Sequence, residues 1–282
     1  MIGAIIGDIV GSRFEFNNYR RKDFDLFTKD CKVTDDSIMT LAVAKSIMET
    51  EKILKPSFHS THPIYYAQVE KMSVKYMQEI GRKYPNCGYG GRFKEWVHSD
   101  TPRPYNSFGN GAAMRVSPVG FAAKTEREVS LLSKAVTRVT HNHQEGIKGA
   151  EAVAVAIYMA QRGWSKDEIQ KKIEGQYYPL DFTIDEIRDS YKTDLSCQGT
   201  VPQAIKAFLE STSFEDAVRN AISIGGDSDT IAAITGAIAE SYYGVPADLK
   251  EKALTYLDNE LLSIYHDWEE YYEERKNNKQ VS

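Results

Sequence analysis

Paired thiols are missing from this sequence. Its three cysteines, Cys31, Cys87 and Cys197, are odd in number, far apart and never in CxxC spacing, which excludes a disulfide framework and a thiolate zinc site and fits a reducing cytoplasm. Long apolar runs are missing too. No stretch approaches the roughly 18 apolar residues of a membrane-spanning helix, and the mean hydropathy of −0.46 is that of a soluble protein. The opening MIGAIIGDIVGSRFEF has no basic segment and is interrupted by Asp8, so it reads as a first helix rather than a targeting signal. Basic runs are equally scarce: 35 Lys plus Arg against 40 Asp plus Glu give a net charge of −5, and no stripe could track a phosphate backbone, so no nucleic acid is expected as a partner. Alternating strand patterns, internal repeats and low-complexity tracts are absent.

What the chain does have is helical period. Ile38, Leu41, Ala42 and Ile47 share one face, as do Tyr66, Val69, Met72 and Tyr76, and Val129, Leu132, Ala135 and Val136. The period continues through 147–160, 204–209, 214–222, 231–242 and 249–265. Ser165 before KDEIQ, Ser213 before FEDAV and Pro246 mark helix starts. These features predict an all-α protein, a single domain over residues 1–282 with a frayed polar tail from about residue 272 to 282. The longest expected loop, 84–119, holds much of the Gly and Pro; its length points to function and its aromatics argue against disorder. Gly3, Gly7 and Gly11 recur every fourth residue and leave one face of the first helix thin. Ala232, Ala233, Gly236 and Ala237 make a similar surface late in the chain, and the two surfaces are expected to pack together.

Acidic residues cluster at two helix starts. Thr34, Asp35 and Asp36 precede SIMTLAVAKSIM; Asp227, Asp229 and Thr230 precede IAAITGAIA. Helix capping explains one oxygen-bearing side chain in each cluster, because free N–H groups and the positive dipole end favour Asp and Thr there. The others exceed that need. If the two starts converge, four Asp carboxylates crowd together and require protons or cations; hard oxygen donors of this kind suit Mg²⁺, Mn²⁺ or Ca²⁺, and six side chains could share two ions. Gly225 and Gly226 allow a sharp approach of the chain to such a site.

Five segments in order, GAIIGDIVGSRFE, TDDS at 34–37, SFGNGAAMRVSPVG at 107–120, THNHQEGIKGAEAVA at 140–154 and GGDSDTIAAITGAIAE at 225–240, resemble the ADP-ribosylglycohydrolase family, the dinitrogenase-reductase-activating glycohydrolase and ARH-type group. The resemblance implies an orthogonal all-α bundle with two Mg²⁺ or Mn²⁺ ions held by Thr34, Asp35, Asp36, Asp227, Asp229 and Thr230. It makes Glu15 and Asp36 candidate catalytic residues, Glu15 facing the metals as a proton-transfer group or a mobile gate. From spacing alone Glu15 is an acid at the end of the first helix, where the dipole is unfavourable, or a plain surface acid.

The loop SFGNGAAMR reads either as a turn or as a diphosphate cradle in which Gly109 and Gly111 take positive φ and the Asn110 amide stays free. The resemblance implies that Ser107, Phe108, Gly109, Asn110, Gly111, Ala112 and Met114 bind ADP-ribose with His141, Gly90 and Gly226, Phe108 lying near the adenine. Ser107 stands where arginine-linkage branches often carry an acid, which argues against an arginine acceptor. His141 and His143 are two apart, poor spacing for zinc; Tyr89, Gly91 and Arg92 border the site, and His266-Asp267 reads as an exposed or partner-facing pair. The expected protein is a cytoplasmic monomer or weak homo-oligomer that cleaves the C1″ glycosidic bond of ADP-ribosylated proteins or small molecules. Two rivals use the same residues: a two-metal phosphoester or pyrophosphate hydrolase, and an ADP-ribose-binding protein without turnover.

Overall fold

The computed structural model describes residues 1–54 and 62–279, with side chains as far as Lys276. In chain order the helices are α1 (Ile2–Gly11), α2 (Asp35–Ile53), α3 (Pro63–Gly81), α4 (Gly91–His98), α5 (Gly111–Met114), α6 (Ser117–Ala122), α7 (Glu126–Thr137), α8 (Gln144–Ala160), α9 (Lys166–Gln176), α10 (Ile184–Arg188), α11 (Cys197–Leu209), α12 (Phe214–Ser223), α13 (Ser228–Tyr243), α14 (Ala247–Leu254) and α15 (Asn259–Lys279). There is no strand among the described residues, only one isolated bridge between Gly109 and Ser196. The fold is all-α. No described helix is long and apolar enough to cross a membrane.

Every residue of α1 is buried, and α13 is buried from Ser228 to Ala239. The two pack directly on each other at the centre, with α8, α11 and α12 against other sides of α13. Glycine permits this. A methyl group added at Gly3 would overlap the carbonyl of Gly236, and one at Gly7 the carbonyl of Ala232; at Gly11 it would lie 2.5 Å from the Cα of Asp229. The expected thin faces therefore meet backbone to backbone, which gives up the bulky side chains that usually separate helix axes.

Local signals start the helices where the sequence marks them. Ser165 accepts from the backbone of Glu168 while the Glu168 carboxylate accepts from Ser165 N–H, a full capping box, and Ser213 accepts from Asp216 N–H at 3.1 Å. Pro246 is the residue just before α14 rather than its first member.

Three expectations change. Residues 84–119 are not one loop: α4 buries Phe93, Trp96 and Val97 at i, i+3 and i+4, a helical period hidden among glycines, and α5 and α6 begin within the same stretch. The period read through 249–265 is broken into α14 and α15. The polar end continues α15 as far as Lys279 rather than fraying from residue 272, because Arg275 is tied to Glu51 and donates to the carbonyl of Ala122 at 2.9 Å. Residues 280–282 lie outside the described residues.

Replacing an exposed helical Gly by Ala raises stability by up to about 1 kcal/mol, so the sign of the effect reports the α1–α13 contact. Gly7→Ala is expected to destabilise the protein by at least about 2 kcal/mol through backbone overlap. Gly175→Ala in α9, where nothing lies within 4 Å of the added methyl, is expected to stabilise it slightly. Urea unfolding followed by circular dichroism measures both; a stabilised Gly7→Ala variant would contradict the packing described.

Candidate active site

The site begins with Asp8, the single charged residue of α1 and fully buried. Its carboxylate accepts hydrogen bonds from Thr34 N–H at 3.0 Å, from Ser37 N–H at 3.1 Å, from the Thr34 hydroxyl at 2.5 Å and from the Ser37 hydroxyl. An acid on one helix thus satisfies free N–H groups at the start of another. Thr34 also accepts from Asp36 N–H at 3.4 Å. The N-terminus of α2 is capped without the side chains of Asp35 or Asp36, whose carboxylates remain for other work.

The start of α13 is built differently. Gly225 and Gly226 both have positive φ, +75° and +76°, and turn the chain sharply into the helix. Asp227 precedes the helix but makes no capping bond; its Oδ2 accepts instead from the Asn110 amide at 2.6 Å. The Thr230 hydroxyl reaches the Oδ2 of Asp36 at 3.3 Å, so the two acidic helix starts converge although 194 residues separate these partners. The Oδ1 of Asp36 is buried and has no hydrogen-bond partner.

Two sets of carboxylate oxygens lie close enough to share an ion. Asp8, Asp36 and Asp229 form one set and Glu15, Asp227 and Asp229 the other, each with its ligand atoms within 4.8 Å of one another. Asp229 belongs to both. Burial, then the neighbouring Asp229 charge, pushes Asp36 well above the ordinary carboxylate range, and burial, then Asp227 and Glu15, raises Asp229. Asp35 is pushed up to about 7 by burial and then by Asp8, and Glu15 to about 7 by burial and then by Asp227. Burial raises Asp8 as well, against the opposing hydrogen bonds from Ser37 and Thr34. Hard oxygen donors held together in this way, one of them without a partner, fit a divalent cation.

These groups open onto a cleft of about 310 Å³. Of the residues expected from sequence, Glu15, Asp35, Asp36, Asp227, Asp229, Thr230, Gly90, Ser107, Gly109, Asn110, Gly111, Met114 and His141 border it, as do Gly91 and Arg92. Thr34 is buried behind it against Asp8. Phe108 does not border the cleft; it is 48% exposed, with its ring edge to that of His143. Ala112 is sealed in the core, Gly226 packs against Tyr191 and Asn18, and Tyr89 is not on the cleft wall. His266 and Asp267 are exposed on α15, away from it.

Two details of the glycine loop depart from the expected cradle. Gly109 and Gly111 do not have positive φ; a Cβ at Gly111 would lie 3.3 Å from the Nε2 of His141, and one at Gly109 would lie 3.2 Å from Ser107 Oγ, with that nitrogen at ordinary contact distance. The Asn110 amide is not free either, since it donates to Asp227 and to the Thr200 hydroxyl, while Gly109 N–H and Asn110 N–H are taken by Ser107 Oγ and the Leu195 carbonyl. Asn110 orients an acid. Glu15 lies four residues beyond the end of α1 in a half-buried turn, clear of the helix dipole that the sequence suggested it would oppose. His143 caps α8 by accepting from Glu145 N–H at 3.1 Å.

Sequence reasoning missed Asp8, Tyr105, Arg115 and Leu195. Asp8 carried a signal, since one acid in an otherwise apolar glycine-striped helix needs a buried partner. The cleft-lining roles of Tyr105 and Leu195 depend on tertiary contact alone.

A family model for ADP-ribosylglycohydrolase matches residues 1–279. The chain is similar to human ADP-ribosylhydrolase ARH3, 25% identical over 342 residues that cover 93% of this chain and 90% of that protein. It is also similar to ADP-ribosylarginine hydrolase Tri1 of Pseudomonas putida, 24% identical over 261 residues covering 87% and 70% respectively. A solved structure, an ADP-ribosylglycohydrolase-related protein complex, shares the fold at a TM-score of 0.62 with 21% identity, covering 93% of this chain and 94% of that one.

Raised carboxylate pKa values make the cation-free protein less stable as pH rises, because the folded state binds more protons than the unfolded chain between about pH 4 and the folded values near 7. A divalent cation offsets that repulsion only where the acids are ionised. Scanning fluorimetry in Mn²⁺ against EDTA is therefore expected to show a rise in Tm of about 5 °C at pH 8 at saturating metal, and a much smaller rise at pH 5. Equal shifts at both pH values would contradict the assignment of these acids to cation binding.

Proposed function

Because the chain belongs to the ADP-ribosylglycohydrolase family and is an ADP-ribosyl hydrolase, we propose that it cleaves the C1″ glycosidic bond of the distal ribose in ADP-ribosylated proteins or small molecules, with two Mg²⁺ or Mn²⁺ ions. The observation that carries this reading is the pair of carboxylate sets that share Asp229 beside the cleft, together with the unpartnered Oδ1 of Asp36. Asp36, Asp229 and Thr230 would hold one ion, with Asp8 behind them fixing the backbone of Thr34; Asp227, Asp229 and Glu15 would flank the other, with Asp35 at the cleft wall. When bound, the ions supply Lewis-acid stabilisation of the ribose hydroxyls and of the water.

The remaining work falls to the chain itself. Asn110 holds Asp227 at 2.6 Å and so sets the rim of the acidic sets. Water adds to C1″ as the bond to the acceptor breaks, and Glu15 accepts the water's proton; the proton passes to the departing acceptor, so that ADP-ribose and the free acceptor leave. A carboxyl near pH 7 in pKa, half-buried and next to the acids, suits proton transfer at neutral pH. The surrounding residues, Ser107, Gly109, Gly111, Met114 and His141, form the wall against which the nucleotide part would lie. One domain is sufficient for this chemistry, since the residues named border a single cleft or, as Asp8 and Thr34 do, lie buried behind it.

Glu15→Gln keeps the shape of the side chain and removes its basicity. The variant is expected to lose at least about 100-fold in hydrolysis while binding ADP-ribose within about threefold of wild type. A panel of defined ADP-ribosyl linkages, incubated with Mg²⁺ or EDTA and separated chromatographically, identifies the acceptor. Release of AMP and ribose 5-phosphate instead of ADP-ribose would defeat the glycosidic reading, as would wild-type turnover by Glu15→Gln.

A further inference from the structure

In the cleft wall lies a charged group that the proposed reaction does not use. Arg115 is 1% exposed and has no carboxylate within ion-pair distance among the described residues. Its guanidinium lies over the Phe93 ring at 5.3 Å, its Nε is buried without a partner, and its Nη2 donates to the Thr140 hydroxyl at 2.6 Å. Burying an arginine without an ion pair is unfavourable, which calls for a function that needs its donors rather than its charge.

The next group along is His141. Its Nδ1 is 2.7 Å from the Thr140 hydroxyl and 3.4 Å from Arg115 Nη2, and its ring is 5% exposed. Among the described residues none hydrogen-bonds its Nε2, which borders the cleft beside Gly109 and Gly111. The proton positions follow from what each group can do. Arginine only donates, so Thr140 Oγ1 accepts from it and has one proton left to give. That proton can go to Nδ1 at 2.7 Å or to the Thr137 carbonyl at 3.4 Å, and distance favours Nδ1. Were Nδ1 protonated instead, its N–H would face the Arg115 N–H, donor against donor. The guanidinium breaks the tie.

We propose that Arg115 and Thr140 are positioning residues that fix His141 as the tautomer protonated on Nε2, so that it presents a hydrogen-bond donor to an acceptor oxygen or nitrogen of the ligand in the cleft. Three further features support the assignment. The backbone N–H of His141 donates to the Thr137 carbonyl at 2.9 Å and holds the residue in place. Glycine at 111 keeps the space beside Nε2 clear, because a Cβ there would lie 3.3 Å from that nitrogen. Burial, followed by the charges of Arg115 and Arg92, keeps His141 well below the ordinary histidine range, so the ring stays neutral. A neutral Nε2–H donor binds an acceptor without adding charge to a wall that already carries Arg92 and Arg115.

The proposal rests on the reading of the cleft as a nucleotide site only in its choice of probe, and the test separates the two. Long-range ¹H–¹⁵N NMR of the full chain, with the His141 signal identified by its absence in His141→Ala, is expected to report the neutral Nε2–H form at neutral pH without any ligand. Thr140→Ser retains that form; Thr140→Val and Arg115→Met yield mixtures with the Nδ1–H form. Calorimetry with ADP-ribose is expected to show about tenfold weaker binding for Thr140→Val and near wild-type binding for Thr140→Ser. In a His141→Ala background Thr140→Val is expected to cause no further loss. An Nδ1–H or doubly protonated His141 in the wild-type protein overturns the proposal, and so does an undiminished effect of Thr140→Val without the histidine. If wild-type protein does not bind ADP-ribose, the functional reading fails, while the NMR result still decides this one.

Discussion

Direct contact between the backbones of α1 and α13 sets the position of nearly every group in the cleft. With Gly3, Gly7 and Gly11 on one side and Ala232 and Gly236 on the other, the helices approach until peptide groups touch. Any Cβ on that face of α1 would drive them apart. The close approach carries Asp8 into the centre and brings it level with the start of α13, where Asp229 and Thr230 lie. From there Asp8 reaches Thr34 and Ser37 and fixes the start of α2. Small residues in one helix therefore position acids in two others.

This arrangement divides labour among carboxylates that look alike in the sequence. Asp8 is the most completely hydrogen-bonded of them and acts on backbone N–H groups, whereas Asp36 retains an oxygen with no partner at all. Asp227 is held from the side by Asn110, and Asp229 is shared between two groups of acids. Identical chemistry in solution becomes four different roles through burial and partners. The acids are held against their mutual repulsion by the packed core around them, which they cannot leave without breaking that packing.

The helical period made the fold class legible, and the surplus of oxygen-bearing residues at two helix starts pointed to the convergence that Thr230 and Asp36 make. The thin faces of α1 and α13 were equally visible as small residues every fourth position. Other features were hidden for physical reasons. Short α4 lies within a glycine- and proline-rich stretch whose turn signals outweigh three buried apolar residues. Asn110 looked like a ligand-binding amide, and only the fold shows that Asp227 consumes it. Gly109 and Gly111 suggested an unusual backbone, but what Gly111 accommodates is the ring of His141, 30 residues later in the chain. Sequence shows which residues are small or charged; it does not show what stands opposite them.

The cap that Asp8 provides has a consequence for how the protein assembles. A helix normally carries its own cap within a few residues, and so its first turn can form alone. Here part of the cap of α2 belongs to α1, and α1 reaches its place only when α13, more than 200 residues later, closes over it. Local order at the acidic centre thus depends on contacts between the two ends of the chain, the kind that form slowly because a long loop must close first. Partly folded chains would not carry the gathered carboxylates, and so would not capture divalent cations before the surrounding wall exists. The carboxylates are gathered only as the two ends of the chain come together.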